Sequence, residues 1–262
     1  MTIFHHELRQ GRLSFCIWTA SIAFLMAVCI FLFPEMKGEM SAMGNLFASM
    51  GSFTAAFGMD RLNFGTLTGF YAIECGNIMG LGGAFYASLV GIAALSGEEK
   101  GHTAEFLLVH PVSRIRVIAE KLLAVLAQLL AMNAIILALS LGSIAAVGEP
   151  IPWKELLLLH GAYLLLQIEL AGVCFGISAF LHRGGVGIGL GLAAMMYFLN
   201  LIANLAQRMD FLKYITPFGY CEGADIVASG RLDPAMVCCG MLCTAVCIAA
   251  AFVQYARKDI RI

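Results

Sequence analysis

Six long apolar stretches dominate the sequence, and the segments between them contain most of its charged residues and prolines. The hydrocarbon core of a bilayer is about 30 Å thick, and an α-helix rises about 1.5 Å per residue, so a helix needs roughly 20 apolar residues to cross it. Each stretch reaches that length. The pattern therefore predicts six membrane-spanning helices, at residues 14–33, 70–95, 122–147, 156–181, 186–206 and 235–255.

Composition supports a membrane protein over a soluble one. Hydrophobic residues make up 60% of the 262 residues and charged residues 13%, against about 45–50% and about 25% in soluble domains. The mean hydropathy is +0.86. A net charge of −1 excludes a strongly basic nucleic-acid-binding protein. We therefore expect an all-α integral membrane protein in which residues 1–262 form a single transmembrane domain surrounded by lipid.

The distribution of Lys and Arg predicts the orientation of the chain. An even number of spans places both termini on one side of the membrane. The connections on that side contain ten of the sixteen basic residues, and the alternate connections contain six. Because Lys and Arg are enriched in cytoplasmic loops, both termini are predicted to be cytoplasmic. The ten residues are Arg9, Arg12, Lys100, Arg114, Arg116, Lys121, Arg183, Arg257, Lys258 and Arg261.

Two long connections fall on the outer side. In residues 34–69, the run from Met40 to Met59 is rich in apolar residues and glycine, which favours a helix that lies at the interface or packs over the spans. Residues 207–234 contain Pro217 and several glycines before the closing Pro234, and these residues break the segment into short pieces. Such pieces could form re-entrant helices, which are tolerated at membrane depth where protein or water shields their backbone.

The cytoplasmic segment 97–121 is too charged to insert into a bilayer and too apolar for a free linker. Residues 105–109 fit a short amphipathic helix. Pro111 ends this helix because its ring prevents continuation through the preceding residue. Ser113 is suited to N-cap a new helix that leads into the third span. The segment is therefore expected to hold a short helix across the cytoplasmic end of the spans.

This segment resembles the coupling helix of permease subunits of ABC transporters of the ABC-2 type, a class with six spans per chain. In that family, paired acids are followed by Gly or Lys, Thr, Glu and two leucines. A Pro-(Val/Leu)-Ser-Arg motif comes next, and a Lys opens the next span. The chain matches at Glu98, Glu99, Gly101, Thr103, Glu105, Leu107, Leu108, Pro111, Val112, Ser113, Arg114 and Lys121.

Shorter matches extend the resemblance over essentially the whole chain, at residues 33–34, 56–58, 69–71, 212–218 with Gly230, and 255–259. The resemblance implies a transporter subunit in the cytoplasmic membrane of a bacterium, which exports a substrate by alternating access. The segment around Glu105 would dock into a separate ATPase subunit. A simpler interpretation treats Arg114, Arg116 and Lys121 as anchors to lipid head groups, but it leaves the acids and the proline motif unexplained.

The sequence contains no motif for binding a nucleotide. A P-loop requires a Gly-Lys-Ser/Thr sequence whose backbone amides and lysine hold the phosphates. The nearest segment, Gly97 to Thr103, has His102 where the lysine belongs. We therefore expect a subunit that is not itself an enzyme and binds no cofactor, with ATP and Mg held by the partner ATPase. The family resemblance further implies a second permease copy or a related permease, because six spans are half the usual number.

Several polar residues within the spans are candidates for a translocation path. Glu169 lies near the middle of the fourth span, and a buried carboxylate there costs free energy unless it is protonated, paired or solvated. Asn200 and Asn204 lie on one face of the fifth span. All three could line a path or form hydrogen bonds between helices. An alternative function follows from Glu169: a secondary transporter or channel that needs no ATPase and carries a proton on this carboxyl group.

Alternating glycines at the start of the fifth span form two interleaved patterns of small residues that allow close helix packing. They could form a dimer seam or pack within one subunit. Because the first and fifth spans lie near the dimer axis in the permeases that the chain resembles, the seam is slightly favoured. Cys239, Cys243 and Cys247 share one face of the sixth span but lack a histidine partner, so no metal site is expected. The glycines are Gly185, Gly187, Gly189 and Gly191.

Overall fold

The computed structural model describes residues 2–49, 51, 54, 59, 61–100, 113–181, 184–205 and 207–257, and it describes their side chains except at 40–49, 97–100, 207, 208 and 210. Within these ranges every regular element is helical. Two 3₁₀ turns, Gln207–Tyr214 and Gly219–Cys221, lie between the fifth and sixth long helices. The α-helices are α1 (Thr2–Ser49), α2 (Leu67–Phe70, a π-helical turn at Tyr71–Cys75, and Gly76–Lys100), α3 (Arg114–Val147), α4 (Trp153–Ser178), α5 (Val186–Leu205), α6 (Gly223–Ser229) and α7 (Pro234–Arg257).

Six of these helices, α1 to α5 and α7, are long and apolar enough to cross a membrane. The prediction of six spans is confirmed. Several helices extend beyond the apolar stretches. For example, α3 begins at Arg114 rather than near residue 122. Hydropathy detects only the apolar part of a helix, whereas backbone hydrogen bonding continues through charged residues at its ends.

The first helix continues beyond the apolar stretch at residues 14–33. Its backbone is helical without interruption from Thr2 through Pro34 to Ser49. Proline removes one backbone hydrogen bond from a helix, and such a loss is tolerated within membrane helices. Lys37 forms an ion pair with Glu149, with Nζ 2.7 Å from Oε1, and this contact ties α1 to the segment after α3. Because α1 is continuous to Ser49, residues 40–49 of the run from Met40 to Met59 belong to α1 and do not form a separate helix.

The core of the bundle is formed around α2 and α4, which approach each other closely. A Cβ atom on Gly91 of α2 would lie 2.9 Å from Cα of Ala171 in α4. On its other side, α4 packs against α7, where a Cβ on Gly176 would lie 2.8 Å from Cβ of Cys247. Glycines at these contacts let the helix backbones approach as closely as they do.

Contacts at one end of the bundle join the N-terminus, the flanks of segment 97–121 and the C-terminal helix. Buried Lys121 of α3 lies 2.8 Å from Oε1 of Glu7 and donates to the carbonyl oxygen of Ala94 in α2. Arg114 donates to the carbonyl oxygen of Ala256 at 3.4 Å. We call this the cytoplasmic end, following the Lys and Arg distribution. The N-terminus, the flanks of segment 97–121 and the C-terminal helix thus lie at the same end of the bundle, as the sequence predicts.

The opposite end, called the outer end, brings together the other set of connections. Lys37 and Glu149 meet there, and Arg61 pairs with Asp225 of α6. The connection after α5 folds into short helical pieces, as the sequence predicts for residues 207–234. These pieces pack against the outer ends of α2, α4 and α5. They form the floor of the cavity described next.

Candidate functional site

A cavity of about 50 Å³ lies at the outer end, between α2, α4, α5 and the pieces that follow α5. Because one water needs at least roughly 10–15 Å³, this volume has room for water or for a small ligand. Both polar and aromatic side chains form its wall. The lining side chains include Tyr163, Tyr197, Asn200, Phe218 and Glu222.

The wall contributed by α2 begins with two residues of its π-helical turn, Tyr71–Cys75, and continues along the first turns of the α-helix that follows. Turns of this kind widen a helix locally and often occur at functional sites. Gly223, the first residue of α6, packs against the turn so closely that an added Cβ would lie 3.0 Å from both C and Cβ of Ala72. Only glycine fits this contact without a shift of the backbone. The preceding residue, Glu222, is thereby held at the edge of the cavity.

Glu222 is the centre of a polar network that joins three parts of the outer end. Its side chain is only 11% exposed. Its Oε2 accepts a hydrogen bond from Nδ2 of Asn204 at 2.9 Å and a longer one from Nδ2 of Asn200 at 3.4 Å. Its Oε1 lies 3.8 Å from Nη2 of Arg61, whose shorter ion pair is with Asp225. The network connects α5, α6 and the first outer segment.

Burial raises the pKa of the Glu222 carboxyl above its ordinary value. The hydrogen bond from Asn204, the positive charge of Arg61 and the hydrogen bond from Asn200 act in the opposite direction, and the negative charge of Asp225 adds to the increase in pKa. Desolvation is the largest of these effects because it penalises the charged form. The surrounding groups therefore offset only part of the free-energy cost of burying the charged carboxylate.

Asn200 and Asn204 lie on one face of α5, as their spacing predicts, and both donate to Glu222. Asn200 also lines the cavity. The sequence pattern does not identify Glu222 as the partner of the two amides. Two amides one turn apart near the end of a span need polar partners, and this is the sequence feature that indicates a contact with the outer segment.

Glu169 of α4 is 3% exposed and accepts a hydrogen bond from the hydroxyl group of Tyr220 at 3.0 Å. Gly240 of α7 packs directly against its carboxyl group, which leaves no room for a Cβ atom there. Glu169 is not among the residues that line the outer cavity. The structure thus places this carboxyl group in a hydrogen bond between α4 and the connection after α5, and brings it close to α7.

Other polar side chains within the bundle also form hydrogen bonds between helices. Asn133 of α3 donates to Oε1 of Gln167 in α4 at 2.7 Å, and Tyr86 of α2 donates to Oε1 of Gln128 in α3 at 2.7 Å. Each bond satisfies one polar atom of the amides that it joins, whereas Oδ1 of Asn133 and Nε2 of Gln167 have no partner among the described residues. They contribute to the packing of α2, α3 and α4.

The middle of the predicted coupling segment, residues 101–112, lies outside the described residues. The backbone of Glu98 and Glu99 belongs to the last turn of α2. Ser113 caps α3, and its Oγ accepts from the backbone N–H of Arg116 at 3.4 Å, so its predicted role as N-cap is confirmed. The matched residues outside the described ranges are Gly101, Thr103, Glu105, Leu107, Leu108, Pro111 and Val112.

The glycines at the start of α5 fall into two groups. Gly185 and Gly189 pack against α2, since a Cβ on either would lie 3.2 Å from a side-chain carbon of Ile92. Gly187 and Gly191 have open space around them. One of the two patterns of small residues is therefore used within the subunit, and the other faces away from it.

Comparison with known proteins gives one family. The family model described as ABC-2 family transporter protein matches residues 1–260. No curated protein matches the chain. The match covers almost the whole chain and agrees with the six apolar helices, which together identify a multi-pass protein of the cell membrane.

Proposed function

The chain belongs to the ABC-2 family of transporter proteins, and from this premise we propose that it is the permease subunit of an ATP-driven exporter. A separate ATPase subunit binds ATP and Mg and supplies the free energy. The permease carries a substrate across the cytoplasmic membrane by alternating access, and no covalent chemistry takes place in this chain. The family match over residues 1–260 is the observation that carries this proposal.

The cytoplasmic end is suited to receive force from an ATPase. Segment 97–121 connects α2 and α3, and both helices are tied at this end to the N-terminal part of α1 through Lys121, Glu7 and Ala94. The carboxylate of Glu120 also accepts from the backbone N–H groups of Ile3 and Phe4 at 3.1 and 3.2 Å. A movement of the coupling segment therefore reaches α1, α2 and α3 together.

A second copy or a related permease completes the transporter in this proposal. The outward-facing pair Gly187 and Gly191 lies one turn apart on α5, and a helix of another subunit can approach closely at such a pair. Gly185 and Gly189 are already used in packing against α2. The proposed dimer seam therefore contains Gly187 and Gly191 and leaves out Gly185 and Gly189.

The decisive experiment combines purification with charge reversal. The chain is isolated from its native membrane in mild detergent, its partners are identified by mass spectrometry, and ATP hydrolysis and transport are measured in reconstituted vesicles. A stoichiometric ATPase partner is expected. In Glu105→Lys, transport per ATP hydrolysed should fall while the two permease copies still associate.

Glu39→Lys is the matched control, since it reverses an exposed acid near the outer end of α1 and should keep transport coupled. Two results would refute the proposal. One is recovery of the chain without any ATPase under conditions that preserve known complexes. The other, which refutes the coupling role of the segment, is coupled transport in Glu105→Lys at the wild-type ratio.

A further inference from the structure

We propose that the outer cavity is a binding site for a small organic ammonium cation, with Glu222 as its counter-ion. The cavity joins a nearly buried carboxylate, an unpartnered amide oxygen and aromatic rings. This site goes beyond the transport function and depends neither on an ATPase nor on the direction of transport.

The local charges favour a cation. Among the described side chains of the polar network, Glu222 and Asp225 carry negative charge and Arg61 carries the only positive charge. Arg61 makes its short contact with Asp225 and forms only a longer ion pair of 3.8 Å with Glu222, which is beyond hydrogen-bonding distance. One guanidinium is thus shared by two carboxylates, and the three groups together carry one excess negative charge. A cation in the cavity would offset the cost of burying it.

A second acceptor is present beside the carboxylate. Asn200 is 7% exposed and lines the cavity, and its Oδ1 has no hydrogen-bond partner among the described residues. Leaving a buried acceptor unpaired costs about 1–3 kcal/mol, so such groups usually have a ligand or an ordered water. Because an ammonium group has several N–H donors, one such group can satisfy both Glu222 and Asn200.

The remaining wall favours an organic ammonium group over a metal ion. Tyr197 and Phe218 meet edge to face, with ring centroids 5.4 Å apart, and Tyr163 stands on the α4 side. Aromatic rings attract ammonium groups through their negative faces. Among the described residues, no three His, Cys, Asp or Glu side chains converge to hold a metal. A cavity of about 50 Å³ admits an ammonium group with only a few further heavy atoms.

The test uses the purified full chain in nanodiscs of phosphatidylglycerol, whose head group contains no ammonium group, with methylammonium as the probe and methanol as its neutral counterpart. Saturation-transfer NMR and calorimetry measure binding. Methylammonium should bind and methanol should not. Glu222→Gln should weaken methylammonium binding about tenfold or more, because it removes a charge-assisted hydrogen bond.

Asp233→Asn is the matched control. It removes one negative charge from the same outer connection, and asparagine can replace Asp233 as acceptor for the backbone N–H of Ala235. Binding in this variant should equal that of the wild type. Should Glu222→Gln fail to purify as a folded protein, Asn200→Ala tests the same site and should weaken binding about three- to tenfold.

An ammonium group can come from a free amine or from a phospholipid head group. Nanodiscs that contain phosphatidylethanolamine distinguish the two sources: competition with methylammonium identifies the lipid, and unchanged binding identifies a free amine. Either result supports the site. Equal binding of methanol and methylammonium, or wild-type affinity in folded Glu222→Gln and Asn200→Ala, would overturn the proposal.

Discussion

The tight contact between α2 and α4 gives a quantitative prediction for Gly91→Ala. The new Cβ would lie 2.9 Å from Cα and 3.0 Å from C of Ala171, and it would approach the Ala171 carbonyl oxygen more closely still. These are backbone atoms, so no side chain can rotate away to relieve the contact. The two helices must separate, or the local backbone must shift.

The size of the effect follows from two opposing contributions. Overpacking a well-packed interior costs about 1–3 kcal/mol. Alanine in place of glycine in a helix interior contributes up to about 1 kcal/mol in the stabilising direction. When the full helix contribution of about 1 kcal/mol is subtracted from the cost of overpacking, Gly91→Ala should reduce the free energy of unfolding by about 0–2 kcal/mol.

Gly142→Ala isolates the second contribution. Gly142 lies in α3, and a Cβ there would meet nothing within 4 Å. This variant should be as stable as the wild type or more stable. The difference between the two variants, about 1–3 kcal/mol, measures the overpacking alone.

Reversible unfolding in detergent micelles, followed by tryptophan fluorescence and circular dichroism, measures both variants under the same conditions. Equal stability of Gly91→Ala and Gly142→Ala would refute the argument, because it would mean that α2 and α4 do not approach as closely as described. A result in which only Gly142→Ala is destabilised would refute it as well.

Three further changes test separate contacts. Ser113→Ala should lower the free energy of unfolding by about 0.5–2 kcal/mol through loss of the α3 N-cap, while Ser113→Asp should retain it in the same thermal assay. Burial raises the pKa of Glu222 above its ordinary value of 4.5, so the folded protein favours the protonated carboxyl group. The stability that this protonation contributes is fully present below pH 4.5 and is lost as the pH rises through the pKa of the folded state. In Glu222→Gln, the free energy of unfolding should no longer fall over this pH range. The same pH dependence in the variant and the wild type would contradict the burial of the Glu222 carboxyl group. Glu169→Gln keeps an acceptor for Tyr220 and should retain transport in vesicles; loss of transport would instead favour a proton-coupled transporter.

The sequence by itself determined the number of spans, the alternation of their connections and the cap at Ser113. The length that a helix needs to cross hydrocarbon is a property of each segment alone, so six apolar stretches suffice to predict six spans. Capping likewise depends on a residue and its immediate neighbours. The resemblance in segment 97–121 and elsewhere agrees with the family match over residues 1–260.

Only the tertiary structure decided which residues meet. In the most apolar windows of α2 and α4, the mean hydropathy is 1.8 and 1.7, and 61% of the residues in each window are buried inside the protein. The corresponding window of α7 is more apolar, with a mean hydropathy of 2.4, but only 11% of its residues are buried. Hydropathy does not separate core from periphery, because lipid-facing and protein-facing surfaces are both apolar. For the same reason the sequence did not distinguish Gly185 from Gly187, or identify Glu222 as the partner of Asn200. Those pairings depend on how each helix is rotated against all of its neighbours.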